Sequence, residues 1–255
     1  MIKTQRDLEN IYRSIAYHCT SIPITLLMGI AYLPLLAMNH PKLKADIPLQ
    51  WTGIMLYLQK KILKLDYTVH SEIDLSQAHG IFAAKHQSAW ETIALWHILN
   101  RPVFVLKKEL LSIPIFGWYL GKADNIVIDR SAGQKAIGQI IEQAMQYLTQ
   151  GRSIVLFPEG TRTQAGATVR YKQGIANVYE ALQPTIYPVA LNSGVFWPRN
   201  SLIRKSGTVE MHVLSAMEQG LSKQEFMEEL QRVIETQTAK LVDSPIFPDE
   251  PDYLG

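Results

Sequence analysis

The sequence predicts an α/β fold in which a mixed, largely parallel sheet is covered by helices and preceded by an N-terminal membrane-embedded helical segment. After residue 66, short runs rich in β-branched and aromatic residues alternate with helical patterns, as in a strand–helix–strand protein. Before that point lies an apolar, uncharged stretch long enough to enter a membrane. We therefore divide the chain into a membrane-associated helical segment (1–66), an α/β domain (67–242) and an irregular tail (243–255).

The N-terminal segment carries no Lys, Arg, Asp or Glu from residue 14 to residue 41. As a helix, about 25 residues rising 1.5 Å each cover roughly 37 Å, enough to cross a hydrocarbon core. Pro23 and Pro34 each remove a backbone donor and favour a kink. Three interpretations compete: a spanning helix, a helix or bent hairpin dipped into one leaflet, and a cleaved signal peptide.

The apolar part is long for a signal peptide, and no clear Ala-x-Ala cleavage site follows it. We therefore expect an embedded, uncleaved segment, with spanning and dipping both open. The positive-inside rule gives no orientation, because basic residues flank the segment on both sides: Lys3, Arg6, Arg13, Lys42 and Lys44.

Residues 49–65 have apolar side chains at spacings of three and four, interleaved with Gln and Lys. This period predicts an amphipathic helix with a cationic edge. Such a helix either packs on the core of the domain or lies on the lipid interface beside the first helix.

The α/β domain is predicted from seven β-rich runs and the helical segments between them. The runs are 67–71, 81–85, 103–107, 125–128, 153–157, 185–191 and 208–214. The helices are 132–149, which opens with the capping-box pattern Ser131/Gln134, 172–182, and 222–242, which opens with Ser222/Glu225.

Composition narrows the functional classes. Hydrophobic residues make up 47% of the chain and charged residues 19%, against about a quarter charged in a typical soluble domain. The net charge of +2, without a dense Lys/Arg run, does not suggest a nucleic-acid partner. The single cysteine, Cys19, excludes an intramolecular disulfide framework and a Cys-based zinc site, and it fits a cytoplasmic location for the folded part.

His86 and Glu91 are the first candidate catalytic residues, directly after the apolar run 80–84. Residues five apart on a regular helix point about 140° apart. The pair can therefore meet only if His86 lies on the loop leaving the strand and Glu91 lies in the first turn of the next helix. Ser88 is a good N-cap there, and Ser88 and Glu91 also form a capping-box pattern. Glu91 is thus either a helix cap or the partner that orients a general base.

Three predicted strands end in basic residues. In open α/β sheets ligands bind outside the carboxyl ends of the strands, and clustered Lys and Arg suit an anionic, phosphate-bearing ligand. The alternative is that each is a solvated strand end with a surface ion pair. The basic residues concerned are Lys107 and Lys108, Arg130, and Arg162 in the stretch 157–162.

Four blocks in this order resemble the 1-acylglycerol-3-phosphate acyltransferase (lysophosphatidic acid acyltransferase) family. His86-x4-Glu91 resembles its His-x4-Asp block, with a carboxylate one methylene longer. Residues 107–118 with 125–130 resemble the second block, Phe-Pro-Glu-Gly-Thr-Arg at 157–162 matches the third, and Tyr-Pro-Val-Ala-Leu at 187–191 matches the fourth. The resemblance runs from about residue 50 to residue 215, and the third block makes it highly specific.

This resemblance implies a glycerolphosphate acyltransferase-like fold and an O-acyltransferase bound to the membrane, with its active site facing the cytoplasm. Its acyl donor would be acyl-CoA or acyl carrier protein. Its acceptor would be the free sn-2 hydroxyl of 1-acylglycerol 3-phosphate (lysophosphatidic acid), giving phosphatidic acid for phospholipid synthesis. No metal and no cofactor is expected. Another lysolipid acceptor, such as a lyso-aminolipid, and a catalytically silent lipid-binding protein are the alternatives.

The resemblance also implies residue roles. His86 would act as general base on the acceptor hydroxyl, and Glu91 would orient it. The substrate-binding residues would be Lys107, Arg130, Glu159, Gly160, Thr161 and Arg162. By contrast, Ser193 lacks the Gly-x-Ser-x-Gly setting of a nucleophile elbow.

Overall fold

The computed structural model describes residues 5–38, 40, 46–129 and 133–247. Its strands are β1 Leu65–Ser71, β2 Ile81–Ala84, β3 Val103–Lys107, β4 Ile126–Ile128, β5 Ile154–Leu156, β6 Ile186–Leu191 and β7 Gly207–Val213. The α-helices of this described part are α1 Gln5–Ala31, α2 Leu33–Ala37, α3 Asp46–Leu58, α4 Trp90–Ile98, α5 Phe116–Lys122, α6 Gln134–Thr149, α7 Gln173–Leu182, α8 Ser193–Phe196 and α9 Lys223–Asp243.

The strands form one sheet in the order β1-β7-β6-β2-β5-β3-β4. All neighbouring pairs are parallel except β6 and β7, which are antiparallel. The predicted mixed, largely parallel sheet is therefore confirmed. All seven predicted runs are strands, and their ends lie within two residues of the predicted ends.

Helices cover both faces of this sheet, and the pleat of β2 illustrates why. Phe82 and Ala84 join the apolar cluster on the side of α4, whereas Ile81 and Ala83 join the cluster on the side of α7 and α9. All four side chains are buried. A strand covered on both faces needs apolar residues at every position rather than at alternate ones, which explains the continuous apolar run before His86.

The first helix lies along the α/β domain. α1 continues through Pro23 as one helix, and a turn at Tyr32 separates it from α2. The Oγ of Ser14 accepts a hydrogen bond from the backbone N–H of Arg204 at 2.8 Å. Farther along α1, the Tyr119 hydroxyl donates to the carbonyl of Gly29 at 2.7 Å. The helix is therefore attached to the domain at two points, Ser14 and Gly29.

The opposite face of α1 is apolar and exposed. The exposed large residues of α1 are Leu8, Tyr12, Ile15, Ile22, Leu26, Leu27 and Ile30, while the buried positions are Asn10, Ser14, Tyr17, Ser21 and Gly29. A helix on the surface of a soluble protein has the reverse pattern, with its apolar stripe toward the core. Among the described helices, α1 is the one long and apolar enough to cross a membrane, with a mean hydropathy of 1.3.

The predicted helix 49–65 is present as α3, continued by a π-helical turn, Gln59–Leu63. Met55 and Leu63 are buried in the core cluster. The helix therefore packs on the domain, in agreement with the first of the two interpretations. The chain leaves it at Lys64 in a left-handed conformation with φ +53°.

Two predicted helix starts have different outcomes. At α9 the capping box is present: Ser222 Oγ accepts from the Glu225 N–H at 3.3 Å, and Glu225 Oε2 accepts from the Ser222 N–H at 2.9 Å. At α6 the helix begins at Gln134 with Gly133 at the N-cap, whereas Ser131 lies outside the described residues.

Of the predicted irregular tail, Ile246 accepts a backbone hydrogen bond from Thr208 at 2.9 Å.

Candidate active site

The loop after β2 carries His86. Because side chains alternate along extended backbone, the pleat of β2 continues into the next two residues and directs them to opposite faces of the sheet. Lys85 reaches α9, where its Nζ lies 2.7 Å from Glu235 Oε1. His86 reaches α4, where its Nδ1 lies 2.8 Å from Glu91 Oε1. As predicted, His86 is on the loop and Glu91 is in the first turn of the next helix.

Glu91 is both a cap and the partner of His86. Besides His86 Nδ1, its Oε1 accepts the backbone N–H groups of Gln87 and Ser88, each at 2.7 Å. Ser88 Oγ accepts from the Trp90 N–H at 2.8 Å rather than from that of Glu91, so the strict capping box is not formed. The Glu91 side chain is fully buried. Glu91 therefore caps this turn and contacts His86 at the same time, and its role as partner of a general base stays a prediction.

These bonds fix the tautomer of His86. Because Glu91 Oε1 already accepts two backbone N–H groups, it acts as an acceptor, and Nδ1 must carry the proton between them. The other ring nitrogen, Nε2, is left with the lone pair that can take up a proton. Phe157 stacks on the imidazole, with ring centroids 4.0 Å apart at 17°, and restricts its rotation.

Ser193 also contacts the Glu91 carboxylate, a contact that the sequence did not predict. Its hydroxyl donates to Glu91 Oε2 at 2.7 Å. The next residue, Gly194, donates its N–H to Gln87 Oε1 at 3.0 Å, and a Cβ there would lie 2.9 Å from the Gln87 Cβ. Only glycine allows α8 to approach the His86 loop this closely. Ser193 thus supports the carboxylate instead of acting as a nucleophile.

A cavity of about 980 Å³ opens beside His86. Most of its lining is apolar, and the apolar residues from α1, α3, α4, β3 and the region of α5 include Met28, Trp51, Trp96, Phe104, Ile115, Phe116 and Leu120. This apolar lining suits a hydrocarbon chain, since ligand pockets are mostly apolar with few polar groups.

The rim of the same cavity is cationic. Four of the predicted substrate-binding residues line it: Lys107, Gly160, Thr161 and Arg162. Two further cations that sequence reasoning did not single out, Lys172 and Arg199, line the same cavity. Arg199 is placed there by a hydrogen bond from its guanidinium to the Arg162 carbonyl. The structure thus brings cations from separate segments to one rim, a setting that suits an anionic group.

The expectation that Glu159 contacts substrate is wrong. Its side chain is 1% exposed and is absent from the cavity lining. Glu159 Oε2 accepts the backbone N–H of His86 at 2.6 Å, and Oε1 accepts the Thr163 hydroxyl at 2.8 Å and pairs with Lys85 at 2.7 Å. Burial raises the pKa of Glu159, and Lys85 offsets part of this shift. Glu159 lies beneath the site and holds its backbone.

The remaining predicted cations differ in outcome. Arg130 lies outside the described residues, so its place is unknown from this structure. Lys108, which follows Lys107, pairs with Asp129 at 3.2 Å in an exposed position, in keeping with the solvated strand end considered above.

One further cluster could attract a metal ion, within the part of the chain that the structure describes. His70, Glu210 and His212, on β1 and β7, have ligand atoms within 4.8 Å of one another. The two imidazoles pack on each other, with centroids 4.6 Å apart at 44°, and His212 Nδ1 bonds Gln237 at 2.9 Å. Because ring packing and the bond to Gln237 already account for this arrangement, we assign no metal to it.

The chain is similar to known acyltransferases. A family model described as "Acyltransferase" matches residues 66–192. The 1-acyl-sn-glycerol-3-phosphate acyltransferase of Pseudomonas aeruginosa is 30% identical over 167 residues, which are 66% of this chain and 65% of that protein. The Escherichia coli protein of the same name is 34% identical over 119 residues, which are 46% of this chain and 49% of that protein. The matched region is thus less than two thirds of either relative.

A solved structure is similar over nearly the whole chain. It is the 1-acyl-sn-glycerophosphate (LPA) acyltransferase of Thermotoga maritima, with a TM-score of 0.72 and 18% sequence identity. The similarity covers 93% of this chain and 98% of that one. At this level of identity the likeness concerns the fold, and it extends beyond the region that the family model matches.

Proposed function

The chain belongs to the acyltransferase family, and on that basis we propose that it transfers a fatty acyl group from an acyl thioester to the sn-2 hydroxyl of 1-acylglycerol 3-phosphate, giving phosphatidic acid. The observation that carries the proposal is the His86–Glu91 pair, 2.8 Å apart, with His86 lining a mostly apolar cavity that also has cations in its lining. An acceptor with a long acyl chain, a hydroxyl and a phosphate finds a counterpart for each of these parts there. The printed names of the matched relatives support the same acceptor.

His86 begins the reaction as general base. Its Nε2 takes the proton of the acceptor hydroxyl while the oxygen attacks the thioester carbonyl, and the buried Glu91 carboxylate stabilises the imidazolium that forms. The tetrahedral intermediate then collapses, the C–S bond breaks, and the thiolate takes the proton from the imidazolium. The products are the new ester and a free thiol. The acyl group passes directly between substrates, so no nucleophilic side chain is required.

The cationic rim supports a phosphate-bearing acceptor. Lys107, Arg162, Lys172 and Arg199 reach the cavity from four segments of the chain, and a guanidinium matches the geometry of a phosphate better than an ammonium does. The acyl donor, acyl-CoA or acyl carrier protein, is a second substrate rather than a cofactor.

We further propose that α1 lies in one leaflet, with the active site on the cytoplasmic side. Its buried face is attached to the domain at two points, Ser14 and Gly29, which supports a helix that stays against the domain at the surface of one leaflet. The exposed apolar face would lie among acyl chains. The cavity is lined by Thr25, Met28 and Gly29 of this helix, which would give lipid substrates a direct entry. In a flotation experiment the full chain should rise in the gradient together with the vesicles. A chain that stays in the dense fraction, apart from the vesicles, would contradict this placement.

The experiment for the reaction is an acceptor panel. The purified full chain, in mixed micelles, is incubated with an acyl thioester and one of several lysolipids, and products are identified by mass spectrometry. We expect acylation of 1-acylglycerol 3-phosphate to exceed that of a lyso-aminolipid or of monoacylglycerol. Preference for an acceptor without phosphate would overturn the acceptor assignment, and no transfer with any pair would favour a lipid-binding protein.

A further inference from the structure

Lys85 is an unusual residue for the end of a central strand, because its side chain is only 1% exposed. Its ammonium nitrogen lies 2.7 Å from Glu159 Oε1 and 2.7 Å from Glu235 Oε1, and it donates to the Ala167 carbonyl at 3.2 Å. An ammonium has three hydrogen-bond donors, and here all three have partners. A buried cation is tolerated only when it is paired in this way.

Glu235 brings α9 into this network. Its carboxylate accepts from Lys85, from the Tyr171 hydroxyl at 2.9 Å and from Thr168 at 3.4 Å. The cluster therefore contains one ammonium and two carboxylates, Glu159 and Glu235, each 2.7 Å from it. The position of the ammonium is set by the balance between these two anions.

The network ends at the backbone of His86. Glu159 shares its Oε1 with Lys85 and Thr163, and its Oε2 accepts the His86 N–H at 2.6 Å. In the next peptide unit, the Thr163 N–H donates to the His86 carbonyl at 2.8 Å. Both backbone polar groups of His86 are thus held by residues of the 157–163 turn. Anything that moves Glu159 also moves His86.

We propose that Glu235 is a positioning residue for the His86 imidazole, acting through Lys85 and Glu159. This role lies outside residues 66–192, which the family model matches, and it makes the C-terminal helix part of the catalytic apparatus. The inference rests on the proposed function, because it takes His86 as the general base. Without the charge of Glu235, Lys85 is drawn toward Glu159 alone, and the carboxylate shifts under the His86 loop.

The test compares three substitutions on the same helix. Glu235→Gln removes the charge and keeps the size. Glu229→Gln removes a charge whose partner, Arg232, is on the exposed side of α9. Ile234→Val removes a methyl group from the buried face of α9 and so lowers stability without changing any charge. Steady-state acyl transfer gives kcat and KM, and thermal unfolding gives Tm.

A misplacement of about 1 Å can cost roughly a hundredfold in rate, so we expect Glu235→Gln to lower kcat by about ten- to a hundredfold. KM should stay within about twofold, since the cavity rim is not touched. Both control variants should retain kcat, and Ile234→Val should lower only Tm. A Glu235→Gln enzyme with lowered Tm and unchanged kcat would overturn the proposal, because Glu235 would then only anchor α9.

A second measurement does not depend on turnover. The proton on His86 Nδ1, which faces Glu91 at 2.8 Å, gives a downfield NMR resonance that His86→Ala assigns. We expect this resonance to shift or broaden in Glu235→Gln and to stay unchanged in Glu229→Gln; an unshifted resonance in Glu235→Gln would overturn the proposal. If the wild-type chain transfers no acyl group, the proposed function fails, but the resonance still decides whether Glu235 positions His86. If Glu235→Gln does not fold, Glu235→Asp, which keeps the charge but withdraws it by one methylene, is judged by the same criteria.

Discussion

Glu91→Gln is the substitution that separates the two tasks of Glu91. In the wild type, Oε1 accepts from His86 and from two backbone N–H groups, and Oε2 accepts from Ser193. A glutamine of the same shape can keep its oxygen on the His86 loop and turn its NH2 toward the Ser193 oxygen, because a hydroxyl also accepts. The cap is therefore kept while the negative charge beside the imidazole is lost.

The magnitudes favour glutamine over alanine for this experiment. Glu91→Ala would leave the Gln87 and Ser88 N–H groups and the Ser193 hydroxyl buried without partners. At about 1–3 kcal/mol each, this amounts to about 3–9 kcal/mol, against a typical total stability of about 5–15 kcal/mol. Alanine would therefore test folding as much as catalysis. With glutamine we expect a folded protein whose Tm is within a few degrees of the wild type.

For activity, the expected loss is large. Positioned general acid–base catalysis contributes about 10²- to 10⁴-fold, which corresponds to about 2.7–5.4 kcal/mol of barrier at 1.36 kcal/mol per tenfold. Glu91→Gln should lose most of this rate factor, so kcat should fall strongly while KM for the acceptor stays nearly unchanged. The assay is initial-rate acyl transfer at saturating donor, with circular dichroism as the control for folding. A folded Glu91→Gln enzyme with wild-type kcat would refute the catalytic role and leave Glu91 as a cap alone.

Three further predictions concern Ser193, Arg162 and His212. Ser193→Ala removes the donor to Glu91 Oε2. One charge-assisted hydrogen bond contributes about 1.5 kcal/mol, so kcat should fall by about tenfold. An unchanged kcat would mean that this bond has no effect on the Glu91 carboxylate in catalysis. Arg162→Ala should raise KM for the phosphate acceptor by about tenfold and leave KM for monoacylglycerol unchanged, whereas equal effects on both would place the phosphate elsewhere. Burial, reinforced by His70, lowers the pKa of His212 below its ordinary 6.5, so the unfolded state binds the extra proton first as pH falls. Wild-type Tm should therefore fall more steeply than that of His212→Asn as pH drops below about 6.5, and parallel Tm–pH curves would contradict this.

The fold was largely predictable from sequence because its signals are local. A strand covered on both faces gives a continuous apolar run, and a helix on the surface gives a period of 3.6; both patterns are present between residues 67 and 242. The start of α6 was misplaced, since Gly133 occupies the N-cap without a side-chain bond. A capping pattern indicates where a helix can begin, but it does not by itself fix the first residue of the helix.

The candidate site was predictable only in its local parts. His86 and Glu91 are five residues apart, and a strand–loop–helix boundary sufficed to bring them together. Ser193 is separated from Glu91 by 102 positions, and no local period connects the two. Glu159 lies in a recognisable block, but a block does not tell which way a side chain points; its burial beneath the loop follows from the position of Lys85 on the opposite face of β2.

The central claim is that His86 activates a lysophospholipid hydroxyl, and the most direct test is the formation of phosphatidic acid by wild type and His86→Ala. The full chain is incubated with 1-acylglycerol 3-phosphate and an acyl thioester, and the product is quantified by mass spectrometry. We expect wild-type product to depend on both substrates and the folded His86→Ala protein to be slower by at least about a hundredfold. A folded His86→Ala protein that forms phosphatidic acid at the wild-type rate would contradict the account.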